Sequence, residues 1–196
     1  METGQYDVVI IGAGIVGSMV ARALSRYDLS IAVLDKKADV GMGQSTANSA
    51  ILHSGHDPFP GTVKARMNKR GNELWRSYAQ ELNVPLVESG AMVVAIGSEE
   101  RAGLKPLYER AQANGIRGVE ILSAKEALAK EPNLSPECSG ALWTPTAAVV
   151  DPFEGVVAAA ESAAINGAEF HLETEVLEAV VEAGRLAAGG SNRGEF

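Results

Sequence analysis

The chain has 196 residues, a net charge of −8, 46% hydrophobic residues and 21% charged ones. That balance excludes a disordered or fibrous chain, and the length can bury a core without metal or disulfide staples. One cysteine, Cys138, excludes a disulfide framework and a multi-cysteine zinc site, and the acidic excess argues against a general nucleic-acid surface.

The leader before Val8 carries Glu2 and Asp7 but no Lys or Arg, so it does not read as an export signal. Tyr6–Ile11 is short, apolar and β-branched, the pattern of a strand buried on both faces of a parallel sheet. Gly12-Ala13-Gly14-Ile15-Val16-Gly17 comes next. Ile15, Val16, Met19, Val20, Ala23 and Leu24 then recur at helical spacing to about Tyr27. Glycines 12, 14 and 17 interrupt this apolar stretch, which therefore does not read as a membrane span. Ile31–Leu34 is a second buried strand, and Asp35 ends it.

Strand, glycine turn, helix, strand and acid, in that order, form a dinucleotide-binding unit. Gly12 permits the turn, Gly14 lets backbone approach a pyrophosphate, and Gly17 lets the helix pack closely on the sheet. The helix N-terminus offers unpaired N–H groups and the positive end of its dipole to phosphate. Asp35 stands 18 positions after Gly17, where a carboxylate accepts bonds from the adenosine ribose and repels a 2′-phosphate. These features leave FAD and NAD open.

Gly41–Gly71 begins with small and hydroxyl residues. Ser45, Thr46, Asn48 and Ser49 read equally well as a second run of cofactor contacts and as local capping residues. His53 and His56 lie just beyond them. Histidine titrates near pH 6.5 and can remove a hydroxyl proton at neutral pH, but it is as often a structural hydrogen-bonder.

Met67, Leu74, Tyr78 and Leu82 mark the core stripe of a helix over Lys64–Asn83. Pro85–Ile96 reads as a strand, Ser98–Asn114 as a helix capped by Ser98, and Gly118–Leu122 as a strand. Ser123-Ala124-Lys125-Glu126 is a capping box opening another helix. Pro132–Pro136 is a loop and Ala141–Val150 is strand-like. Pro152–Asn166 is an alanine-rich helix and Ala168–Thr174 a strand, which places His171 as structural. Glu182–Arg185 suggests a hairpin turn, and the residues after Arg185 no longer read as its second strand. Three scattered histidines give no metal site, and Cys138 has no activating neighbour in sequence.

Taken together, Gly12–Gly17, Asp35 and Gln44–Gly71 resemble the FAD-dependent oxidoreductases of the D-amino-acid oxidase (DAO) superfamily. The glycerol-3-phosphate dehydrogenase/oxidase and L-2-hydroxyglutarate oxidase branch is the most similar. Ala47-Asn48-Ser49-Ala50-Ile51-Leu52-His53-Ser54-Gly55 carries the likeness, extended by Asp57-Pro58, Pro60-Gly61, Lys64-Ala65, Asn68 and Gly71–Leu74. Gly140–Thr146 and Val150-Asp151-Pro152 carry it further.

That resemblance implies an α/β fold: a Rossmann-like, glutathione-reductase-type FAD-binding domain with part of an inserted α+β substrate domain. The expected boundaries are 1–84 for the first part of the FAD domain, 85–150 for the partial substrate domain and 151–186 for the return. Residues 187–196 are expected to be an unstructured or artefactual tail, as of a chain truncated at its C-terminus.

By the same resemblance, Gly12, Gly14 and Gly17 cradle the FAD pyrophosphate and Asp35 holds the ribose. Ser45 and Thr46 reach the phosphates or ribityl chain, Asn48 and Ser49 lie along the flavin, and Val176 sets its backbone against adenine. His53 is the catalytic base. The implied reaction is oxidation of a small anionic 2-hydroxy substrate, sn-glycerol 3-phosphate first, by hydride transfer to flavin N5. The alternatives are L-2-hydroxyglutarate oxidation and a truncated, non-catalytic FAD-binding module. Oxygen, a quinone, or a partner flavoprotein or iron–sulfur subunit would accept the electrons. A cytoplasmic location is expected, and a peripheral membrane contact is compatible with it.

Overall fold

The computed structural model describes residues 2–182 and 185–196. The first elements in chain order are β1 (Glu2–Thr3), β2 (Val8–Ile11), α1 (Ile15–Leu24), β3 (Ile31–Leu34), β4 (Ile51–Leu52) and α2 (Val63–Glu81). Next come β5 (Leu86–Val87), β6 (Ala91–Ile96), α3 (Gly97–Ala113), β7 (Glu120–Ser123), α4 (Ala124–Lys130) and β8 (Cys138–Thr144). The last are β9 (Ala148–Val150), α5 (Pro152–Ile165), β10 (Glu169–His171), β11 (Val176–Glu182), β12 (Arg185–Ser191) and β13 (Gly194–Glu195).

These elements form two units. The first comprises Met1–Ser49, Leu82–Val84 and Asp151–Phe196, and the second Ala50–Glu81 and Pro85–Val150. By this division residues 50–81 fall in the second unit.

In the first unit, β10, β3 and β2 form a parallel sheet in that order, with Val8 opposite Ile31 and Glu169 opposite Ala32. The central strand β3 is buried throughout, as its uninterrupted apolar sequence demands. Ala13, Ala21, Ile31, Val33, Ala163 and Ala168 make the core, with α1 and α5 meeting through alanines. Asp151 caps α5, its Oδ1 accepting the amides of Phe153 and Glu154 at 2.9 and 3.0 Å.

A second sheet in this unit has the order β1-β13-β12-β11. It corrects the reading of 187–196 as a tail, because β12 pairs antiparallel with β11, Ala179 opposite Gly189 and Val176 opposite Ser191. Gly189 and Gly190 have little strand propensity, and pairing with β11 overrides it. Of the turn read at Glu182–Arg185, residues 183 and 184 lie outside the described residues.

The second unit holds two antiparallel sheets, β4-β9-β5 and β6-β8-β7. One core packs Leu104, Ala111, Ile116 and Leu142, and another packs Leu122, Ala127, Cys138 and Ala141. Two expected strands are each divided. Glu88-Ser89-Gly90, with Gly90 at φ +64°, separates β5 from β6, and Pro145-Thr146-Ala147 separates β8 from β9.

The cap of α3 also differs from expectation. The helix begins at Gly97 rather than after Ser98, its N-cap residue is Ile96, and the Glu100 carboxylate reaches back to accept the Ile96 amide at 2.7 Å. The capping box at Ser123 and Glu126 forms as read. On α2 the buried side is Ala65, Asn72 and Ala79, whereas Met67, read as core, is 53% exposed.

Candidate functional site

The site in the first unit is built on the glycine turn. Gly12 has φ +103°, a left-handed conformation that a side chain would strain, and its amide donates to the Leu34 carbonyl at 2.8 Å. A Cβ on Gly17 would fall on the Gly12 carbonyl oxygen, so α1 can start this close to β2 only without one. A Cβ on Gly14 would stand 2.9 Å from Ser45 Oγ. Gly12 and Gly17 therefore fix the backbone, and Gly14 keeps the mouth of the turn open.

Two side chains close the turn. Asp35, at the end of β3, accepts the Ala13 amide on Oδ2 at 2.7 Å and the Lys37 amide on Oδ1 at 2.8 Å. Ser45 Oγ accepts the Ile15 amide at 2.9 Å, capping α1 from a distant loop because Gly14 has no side chain to do so. The loop is itself tied down. The Gly41 amide donates to the Ala13 carbonyl at 2.9 Å, and Thr46 Oγ1 donates to the Gly41 carbonyl at 2.8 Å.

These residues border an open cleft of about 420 Å³, lined among others by Gly12, Gly14, Asp35, Lys36, Ser45 and Val176. The amide of Thr174 donates to the Asp35 carbonyl at 2.8 Å, bringing the chain before Val176 onto the same wall. The arrangement suits a dinucleotide. The first-turn amides of α1 have no intrahelical acceptor, and the helix dipole favours an anion there. Ser45 accepts one amide and keeps its own proton to donate. Each Asp35 oxygen has a second lone pair for a ribose hydroxyl.

Of the residues selected from sequence, Gly12, Gly14, Asp35, Ser45 and Val176 line one cleft. Gly17 acts behind it. Thr46 spends its hydroxyl proton within the loop. Asn48 Nδ2 donates to the Ser45 carbonyl at 2.8 Å, and both Asn48 and Ser49 are exposed.

His53 belongs to the second unit, where it is exposed just after β4. The residue before that strand, Ala50, takes φ +63°, a conformation costing about 1 kcal/mol in a residue with a side chain. His56 is half-buried, with Nδ1 3.0 Å from the buried Ser54 hydroxyl. Burial is the main cause that holds its pKa below the ordinary 6.5. Asp57 opposes this, and His53 and Arg110 add to it. His171 lies in β10 with Nε2 3.2 Å from the Tyr6 hydroxyl. Cys138 is buried in the second unit's core.

Sequence reading missed Asn72 and Arg76 as a polar network. The signal present is an asparagine seven positions from each of Ala65 and Ala79, on the buried side of α2. Among the described residues, no group of three or more metal-ligating side chains comes together, and no helix is long and apolar enough to cross a membrane.

Residues 7–195 match the model of the DAO family, described as FAD dependent oxidoreductase. The chain is 40% identical over 173 residues to a glycerol 3-phosphate dehydrogenase of Caloramator mitchellensis, covering 88% of this chain and 36% of that protein. It is 35% identical over 155 residues to the mitochondrial L-2-hydroxyglutarate dehydrogenase of Caenorhabditis briggsae, covering 77% of this chain and 35% of that one. Among solved structures, the L-alpha-glycerophosphate oxidase of Mycoplasma pneumoniae with FAD bound matches with a TM-score of 0.91 and 29% identity. That match covers 97% of this chain and 50% of the oxidase. The chain thus spans about a third of the length of these curated relatives and half of that solved neighbour.

Proposed function

The chain belongs to the DAO family of FAD-dependent oxidoreductases, and from that premise we propose that its first unit binds FAD in the cleft beside the glycine turn. The protein oxidises the hydroxyl carbon of a small anionic 2-hydroxy compound, with sn-glycerol 3-phosphate as the preferred substrate. The observation that carries this reading is the convergence of the α1 N-terminus, Asp35 and Ser45 on one cleft.

The α1 amides and the Ser45 hydroxyl hold the diphosphate. Asp35 accepts from the adenosine ribose, and the backbone at Val176 borders the adenine. Thr46, Asn48 and Ser49 continue toward the flavin. FAD, when bound, supplies the acceptor for the hydride leaving the substrate carbon. His53 takes the hydroxyl proton on its imidazole, a transfer that a histidine side chain can carry out at neutral pH. Oxygen, a quinone or a partner protein takes the electrons onward, and the cytoplasm suits the reaction.

Glycerol 3-phosphate is preferred because that relative is 40% identical. L-2-Hydroxyglutarate is the second reading, favoured by relatives at 35 and 36%. Anaerobic mixing of the FAD-loaded protein with each compound separates them. Bleaching of the flavin by glycerol 3-phosphate is the expected result. Bleaching by 2-hydroxyglutarate alone transfers the assignment, and bleaching by neither removes both.

A further inference from the structure

We infer that Asn72, locked by Arg76, is a positioning residue for His53; the catalytic part of this inference rests on the reading of His53 as the base. Asn72 is 5% exposed on the buried side of α2. Its Nδ2 donates to the backbone carbonyls of Thr146 at 2.9 Å, His53 at 3.1 Å and Leu52 at 3.4 Å. Two amide protons are shared among three acceptors that converge from the end of β4 and the turn between β8 and β9.

Arg76 decides which way the carboxamide faces. Its Nη1 donates to Asn72 Oδ1 at 2.8 Å and to the Asn72 carbonyl at 2.7 Å. A guanidinium has no acceptor, so the atom facing it must be the oxygen, and the nitrogen must face the carbonyls. Arg76 Nη2 also donates to the Thr146 carbonyl at 2.9 Å, and Nε donates to Glu88 Oε1 at 2.7 Å. The amide is held at both ends.

Packing alone does not require this network. The neighbours one heptad away on the same face are Ala65 and Ala79, and a small apolar residue at 72 would continue that stripe. A buried polar group is costly unless satisfied, and a satisfied network specifies one geometry. The geometry specified here is the backbone of the exposed His53 relative to Thr146.

Asn72→Asp tests the inference, because it preserves volume and the Arg76 bond but sets an acceptor against three acceptors. The chain has three histidines, so His53→Ala assigns the His53 imidazole signal by NMR. In Asn72→Asp and in the charge-conserving Arg76→Lys alike, the His53 imidazole signals shift while those of His171 do not; the lysine variant excludes an effect of the added charge alone. FAD occupancy stays at the wild-type level, and kcat on glycerol 3-phosphate falls about tenfold to a hundredfold. Should Asn72→Asp not fold, Arg76→Lys carries the same test with a smaller effect in the same direction. Unchanged His53 signals and kcat in Arg76→Lys overturn the inference. So does a loss in which His171 and FAD occupancy change in step with His53, which marks a general structural role. Turnover that survives His53→Ala defeats the base assignment instead, and the NMR comparison still decides the positioning.

Discussion

Asp35 Oδ2 lies 2.7 Å from the Ala13 amide, so the acid selected to recognise a ribose also closes the glycine turn onto the end of β3. Its other oxygen is occupied by the Lys37 amide at 2.8 Å. The carboxylate thus shapes the cleft before any ligand arrives. Asp35→Ala is expected to cost about 1–3 kcal/mol of stability by leaving backbone amides without their acceptor. Thermal unfolding of the FAD-free protein measures this directly. An acid that served the ribose alone would leave the melting temperature of that form unchanged.

Gly17 has a sharper requirement. A Cβ there meets the Gly12 carbonyl oxygen, so Gly17→Ala must push α1 away from the turn. We expect a loss of about 3 kcal/mol or more, together with loss of FAD retention, read from urea midpoints and visible absorbance. Gly103, in the exposed part of α3, has open space around it. Gly103→Ala should therefore stabilise the protein by about 0.5–1 kcal/mol. Equal effects at the two positions would contradict the close approach at Gly17.

His56 gives the protein a sensitivity to mild acid. Its folded pKa lies below 6.5, chiefly through burial, whereas the unfolded residue titrates near 6.5. Between those values the unfolded state binds more protons, so stability is lost as pH falls from 6.5 toward the folded pKa and is flat above it. His56→Gln should remove this part of the slope. Melting temperatures at pH 7.5, 6.5 and 5.5 make the comparison. An identical drop in both proteins would assign the sensitivity to other groups.

The first fifty residues were legible because their signals are local. β2, the glycine turn, α1, β3 and Asp35 succeed one another within about thirty positions, each with its own propensity or spacing. What escaped depends on distant pairing. Ser45 caps α1 from thirty residues away, which no local capping rule reveals. β12 is a strand because β11 lies beside it, although Gly189 and Gly190 oppose that assignment. α3 starts at Gly97, one residue before the Ser98 read as its cap, and the Glu100 carboxylate reaches back to the Ile96 amide instead. Asn72 is absent from any apolar pattern, because its contribution is three carbonyls drawn from two other segments.

The most direct test of the central claim is the visible absorption spectrum of the purified protein, before and after addition of FAD, with chromatography of the heat-released cofactor. A flavin band and release of close to one FAD per chain is the expected result. Protein that is folded yet stays colourless after incubation with FAD, or that releases NAD, would contradict the assignment of this cleft.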